Sequence, residues 1–316
     1  MPDPASDQAI VGATPTWVSF TLLGSVVAIL GCNWPLLALG LEEISPLWLA
    51  SMRLLGATVL IFIVAGATGN IHPPRRADRA VILSVAFGRL IIVMVLVFIA
   101  LQLVPPGRSS VLVWTSSLWT VPMAGTFLGE RMTRQRWVGL AAGVAGIVVL
   151  VEPWHAPAEA GAWVGYGLLL TAAVAQAATA VHVRAHRWVS SPIELLPWQL
   201  LVASVPLTAF TVAREGLPTV DWSPWLVGIV IYQGALATAF ATWAQLTVLR
   251  RLPAVTTNLT LMMVPVVGLL ASAAVVGEQL TLQAGVATVL IGGGVLTGVG
   301  LRRQSEEPQL EIPYLR

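Results

Sequence analysis

At 316 residues, 56% hydrophobic and only 10% charged, with a mean hydropathy of +0.82, the chain is too apolar for a soluble domain, where about a quarter of residues carry charge. A single cysteine, Cys32, excludes a disulfide framework and a thiolate metal cluster. The formal charge of +2 says little in sum, but all 17 basic side chains are arginine, and their placement is informative.

The N-terminal stretch 1–16 carries Asp3 and Asp7 and no basic residue. The apolar run after it is far longer than a signal-peptide core and reads as a retained first helix. A spanning helix needs about twenty mostly apolar residues. Such runs fall near 17–40, 46–66, 80–102, 108–128, 137–152, 162–183, 194–213, 224–248, 254–276 and 282–301, which predicts ten transmembrane helices joined by short loops. With a cytoplasmic N-terminus, the inner loops and tail hold Arg75, Arg76, Arg79, Arg131, Arg134, Arg136, Arg184, Arg187, Arg250, Arg251, Arg302, Arg303 and Arg316. The outer loops hold Arg108 and Arg214, while Arg53 and Arg89 lie within spans. This bias is a positive-inside signal, so both termini are expected in the cytoplasm and the protein in the inner (plasma) membrane.

An internal repeat follows. "ISPLWLASMRLLGA" (44–57) matches "SSPIELLPWQLLVA" (190–203), with Arg53 opposite Gln199. "LVPPGRSSVLVW" leading to "FLGERMT" matches "RLPAVTTNLTLM" leading to "VVGEQLT", with Glu130 on Glu278. Five spans per unit is an odd number, so the second unit runs through the bilayer in the opposite sense. Inverted repeats are a recurrent plan of secondary transporters, with the substrate near the midplane between the halves. The expected organisation is a cytoplasmic tail at 1–16, repeats at 17–152 and 161–301 around an outer linker at 153–160, and a second cytoplasmic tail at 302–316.

"GCNWPLLALGLEEISPLWLASMRLLGATVL", "LGERMT…VGLAAGVAGIVVL" and "VGEQLT…AGVATVLIGGGVL" resemble the two EamA domains of the drug/metabolite transporter superfamily, over roughly residues 17–301. The resemblance implies an all-α, ten-helix inverted-repeat carrier of small molecules, frequently an exporter of amino acids. Among its branches the chain is similar to aromatic amino acid exporters of the YddG type. A superfamily carrier of another cargo, such as a drug, hydrophobic cation or sugar derivative, is the alternative, and an intramembrane enzyme a remote one.

Ionisable groups within spans usually face a bundle interior or wet cavity. Arg89 lies near mid-depth, where insertion scales put its cost at roughly 2.5–3.5 kcal/mol. It either meets a substrate carboxylate through paired N–H donors or is satisfied by neighbouring helices. Arg53 is shallower, with Glu42 and Glu43 as prospective partners. Ser110, Trp114 and Ser117 share one helix face, matched in the second repeat by Asn258 and Met262. Asn33, Trp34, Gln176, Trp198, Gln199, Tyr232 and Trp243 complete the candidate substrate site, its tryptophans suited to stacking on an aromatic or apolar substrate. Glycines of the fifth and tenth spans read as helix contacts, or as the face of a homodimer if the protein is not a monomer. His182 and His186 have a metal-compatible spacing, but their arginine neighbours argue against a cation. No cofactor, metal or nucleic acid is expected; the partners are the small-molecule substrate and the lipid bilayer.

Overall fold

The computed structural model describes residues 16–69, 71–152, 161–218, 220–249, 252 and 254–299, and these are helical with short connections. We number the helices α1 (Thr16–Glu43), α2 (Pro46–Ala67), α3 (Arg76–Ala100), α4 (Pro106–Trp114), α5 (Ser116–Phe127), α6 (Arg134–Val151), α7 (Ala162–Ala185), α8 (Pro192–Glu215), α9 (Pro224–Val248), α10 (Ala254–Leu261), α11 (Met263–Val276) and α12 (Leu282–Val299). Seven of them, α1, α2, α3, α6, α7, α8 and α9, are long and apolar enough to cross a membrane. Arg250, Arg251, Arg302, Arg303 and Arg316, the 153–160 linker and both tails lie outside the described residues.

Local chemistry sets the helix starts. Ser-Pro opens α2, α8 and α9, with Ser45, Ser191 and Ser223 accepting from the backbone N–H of Trp48, Glu194 and Leu226. The serine satisfies a donor that has no partner within the helix, and proline at the first helical position gives up an N–H that would have none. At α8 Glu194 completes a capping box.

The two halves repeat one another in irregular features, at an offset of 148 residues. Residues Ser84–Val93 of α3 are π-helical, and so are Tyr232–Phe240 of α9. The rod formed by α4 and α5 is interrupted at Thr115, and the one formed by α10 and α11 at Met262, one residue short of that offset. Gly129 and Gly277 take positive φ of 68° and 71°, ending α5 and α11 alike: the N–H of Glu130 bonds to Ala124 O and that of Glu278 to Ser272 O, each at 3.3 Å.

Packing between the halves is reciprocal. α1 lies along α11 as α7 lies along α5, and α2 pairs with α8. α6 and α12 cross through glycine: a Cβ placed on Gly294 would fall 2.5 Å from Gly139 O and 2.7 Å from Gly143 N. The glycine faces of the fifth and tenth spans are therefore used against each other within one chain.

Polar contacts sort the loops onto two ends of the bundle. At one end Asp78 meets His186, and Glu130 meets Arg136 and Arg184. At the other, Glu43 meets Ser223, Ser45 meets Glu215, and Glu278 meets the start of α4. Glu130 and Glu278 therefore lie at opposite ends of the α4–α5 rod, whose 22 residues from Pro106 to Phe127 span roughly 33 Å. α4–α5 and α10–α11 accordingly run antiparallel. Arginine crowds the first end, with Arg75, Arg76, Arg79, Arg131, Arg134, Arg136, Arg184 and Arg187.

Candidate functional site

Two intramembrane arginines occupy contrasting surroundings. Arg53 of α2 reaches across to the π-helical part of α9. Its Nε donates to Thr238 Oγ1 at 2.7 Å and its NH1 to Gln233 Oε1 at 2.8 Å, while its guanidinium lies 6.0 Å from the ring centre of Phe98. Thr238 in turn donates to Gln233 O. Gln233 is fully buried, and its Nε2 has no partner among the described residues. Glu43, expected beside Arg53, is engaged with Ser223 instead. The reason is geometric: the π-helical winding of α9 presents Gln233 and Thr238, five residues apart, toward α2 together.

Arg89 sits in the matching π-helical part of α3. Leu83, Phe87 and Ile92 are exposed at spacings of four and five, so they form the outward stripe of this segment. Arg89 falls two residues after Phe87 and three before Ile92, on the opposite side. It is nevertheless exposed, and no hydrogen bond or ion pair to its guanidinium occurs among the described residues. The neighbouring Gly88 abuts Thr179, placing this part of α3 directly against α7.

Gln176 of α7 donates to Ser116 of α5 at 3.1 Å. Tyr232 donates to Ile29 O on α1 at 2.7 Å, one turn before Asn33, whose buried Oδ1 has no partner among the described residues. Gln199 is buried on α8 at the position matching Arg53. Trp34 is buried, its ring edge against Gly268 of α11.

The Ser110, Trp114 and Ser117 stripe is divided by the break at Thr115. Ser110 is sealed in the seam between α4 and α11, donating to Gly107 O at 2.6 Å and flanking Gly268. Trp114 and Met262 line an apolar hollow of about 350 Å3 with Pro265, Thr288 and Gly292. Ser117 is half-buried on α5. The side chain of Asn258 lies outside the described residues.

Two tryptophans are placed away from this interior. Trp198 Nε1 donates to His72 O at 2.7 Å, and its ring meets Phe62 edge-on at 5.7 Å, so it tethers the chain between α2 and α3. Trp243 is 42% exposed, in company with Ile231 and Leu236 on the outer side of α9. Sequence reasoning missed Ser116 and Thr238 as polar partners, because a hydroxyl in an apolar run gives no sign of which helix it faces. His186 bonds Asp78 at 3.0 Å, and no cluster able to hold a metal occurs among the described residues.

The chain's relatives bear on what this interior is for. The profile of the EamA-like transporter family matches residues 16–152 and again 163–298. A Bacillus subtilis (strain 168) protein named an uncharacterized transporter, YoaV, is 25% identical over 86% of this chain and 93% of its own length. A Salmonella typhimurium protein named a probable amino-acid metabolite efflux pump is 27% identical over 87% of this chain and 92% of its own. One crystal structure shares the fold, with a TM-score of 0.61 and 21% identity over 88% of this chain and 95% of that one. With its family profile matched twice and seven helices long and apolar enough to cross a membrane, the chain belongs to the EamA-like transporter family of the drug/metabolite transporter superfamily and is a multi-pass membrane transporter, not an enzyme.

Proposed function

We propose that the protein is a ten-span carrier that exports amino acids by alternating access, built from inverted five-span repeats at 17–152 and 161–301 with both termini in the cytoplasm. The arginine-rich end is then the cytoplasmic one. The observation that carries this reading is Arg89, an accessible guanidinium on the inward side of α3 with no partner among the described residues. An ion at that depth is tolerable only in a wet chamber or beside a counter-ion, and a substrate carboxylate supplies the counter-ion when it binds. A planar fork of N–H donors fits a carboxylate with two parallel hydrogen bonds. The name of the Salmonella relative points to the same cargo class.

Asn33 and Gln199, buried polar groups on α1 and α8, supply donors and acceptors for the remaining polar atoms of an amino acid. Gln176 and Tyr232 border the same interior from α7 and α9. Trp34 and Trp114 offer the aromatic surface, and with it the aromatic preference of YddG-type exporters; in this reading Trp198, bonded to His72 O, and Trp243, on the outer side of α9, do not take part. A counterflow screen of amino acids in reconstituted vesicles tests the reading. Exchange of one or more amino acids by the parent protein, with half-saturation raised about ten- to a hundredfold in Arg89→Gln, is the expected result. Unchanged half-saturation in a folded Arg89→Gln protein removes Arg89 from the site.

A further inference from the structure

The three consecutive glycines of α12, Gly292, Gly293 and Gly294, meet different surroundings. Gly294 is required by packing, because a Cβ there would strike the backbone of α6. Around Gly292 and Gly293 nothing lies within 4 Å of where a Cβ would be, so no protein neighbour requires their small size. Each glycine weakens a helix by roughly 1 kcal/mol relative to alanine. The space they leave is the apolar hollow of about 350 Å3 bordered by Trp114 and Met262, whose wall includes both glycines.

The position of this hollow fixes what surrounds it. Trp114 and Met262 are counterparts at the 148-residue offset, on rods that run antiparallel. A height on one rod therefore maps to the mirrored height on the other, and a single hollow bordered by both residues lies near mid-depth. It also opens sideways. Met263, Val289 and Leu296 of its wall are exposed, Val289 by 74%, so it is continuous with the apolar outer surface that a membrane transporter turns to lipid. Thr288 supplies the only hydroxyl among the described residues of the wall, and donates it to Ala284 O at 2.7 Å. A buried water needs several polar partners, whereas an apolar hollow stays dry and takes an apolar guest. At mid-depth in a bilayer the guest at hand is an alkyl chain.

We infer that the hollow is a binding site for one acyl chain of a membrane phospholipid, which enters sideways past Val289 and Leu296. The chain lies against the points where both rods are interrupted, since Trp114 precedes the break at Thr115 and Met262 is itself the other break. Filling the hollow restores the dispersion contacts that a void forfeits, so the chain braces helix ends that have no continuous helix behind them. The site is independent of the export reading: it requires no cargo, and among the described residues none of its wall comes from α3 or α7, the helices around Arg89. Trp114 belongs to both, and the experiment separates them.

Trp114 fluorescence is read by difference, as the emission of the parent minus that of Trp114→Phe, both reconstituted in phospholipid vesicles. Bromine atoms near the ends of the acyl chains are expected to quench this component, and aqueous iodide is not. Gly292→Leu puts a side chain into the hollow and is expected to abolish the bromine quenching, measured against its own Trp114→Phe partner. Thr288→Phe fills the same space from one turn away and serves if the first variant fails to fold. Bromine quenching that survives in the filled variants means that Trp114 meets bulk lipid from outside the hollow, and overturns the assignment. Quenching by iodide in place of bromine makes the hollow wet and overturns it too. A Trp114 component blind to bromine but shifted by a transported amino acid gives the hollow to the cargo instead, and one shielded increasingly at higher protein density gives it to a second copy.

Discussion

Arg53 tests whether the structure distinguishes a supporting charge from a working one. Its guanidinium makes two charge-assisted hydrogen bonds, to Thr238 and Gln233, and faces Phe98. Replacing Gln233 with leucine strands one N–H of a cation in the bundle and is expected to cost about 2–3 kcal/mol. Arg53→Met strands Gln233 Oε1 instead, and the loss is about 2 kcal/mol. The double variant Arg53→Met/Gln233→Leu leaves neither partner unsatisfied and removes Gln233 Nε2, which has no partner among the described residues. It should cost only about 1 kcal/mol, giving a coupling energy of about 3 kcal/mol. The assay is unfolding of the purified protein in detergent, by heat or denaturant, for the parent and three variants. Single variants losing under about 0.5 kcal/mol, or a double variant equal to the sum of the singles, would refute the network.

Arg89→Gln should leave stability within about 0.5 kcal/mol of the parent, because no partner among the described residues is lost, while its transport affinity falls; a large stability loss would make Arg89 a second supporting charge. Gly294→Ala forces a methyl against Gly139 O and Gly143 N and is expected to cost about 1–3 kcal/mol of stability, read as a lowered Tm; an unchanged Tm would mean that α6 and α12 separate freely.

The helical runs were legible in the sequence because apolar length and Ser-Pro starts are local signals, and residues 45–46, 191–192 and 223–224 open helices as written. The repeat was legible too, through the aligned Glu130 and Glu278, which the structure puts at opposite ends of one rod. Helix facing was not. The Ser110–Trp114–Ser117 stripe assumed a continuous helix, and the break at Thr115 divides it. The π-helical winding around Arg89 and Gln233 shifts faces relative to an α-helical count, and no residue in "SVAFGRLIIV" announces it. Trp198 looked internal by depth, but its ring N–H is held by a carbonyl at His72, a tertiary contact that periodicity does not encode.

The contrast between the arginines ties these points together. The sequence ranks Arg89 above Arg53 on depth alone. The structure supplies a different criterion, which is whether the donors are already used. Arg53 spends its hydrogen bonds on α9 and so fixes α2 to it; a substrate would have to break those bonds to bind there. Arg89 has no such commitment among the described residues, so a carboxylate can bind it without first displacing a protein partner. Binding energy spent there goes to whichever conformation holds the two together, since a ligand shifts an equilibrium only by its difference in affinity for the two states.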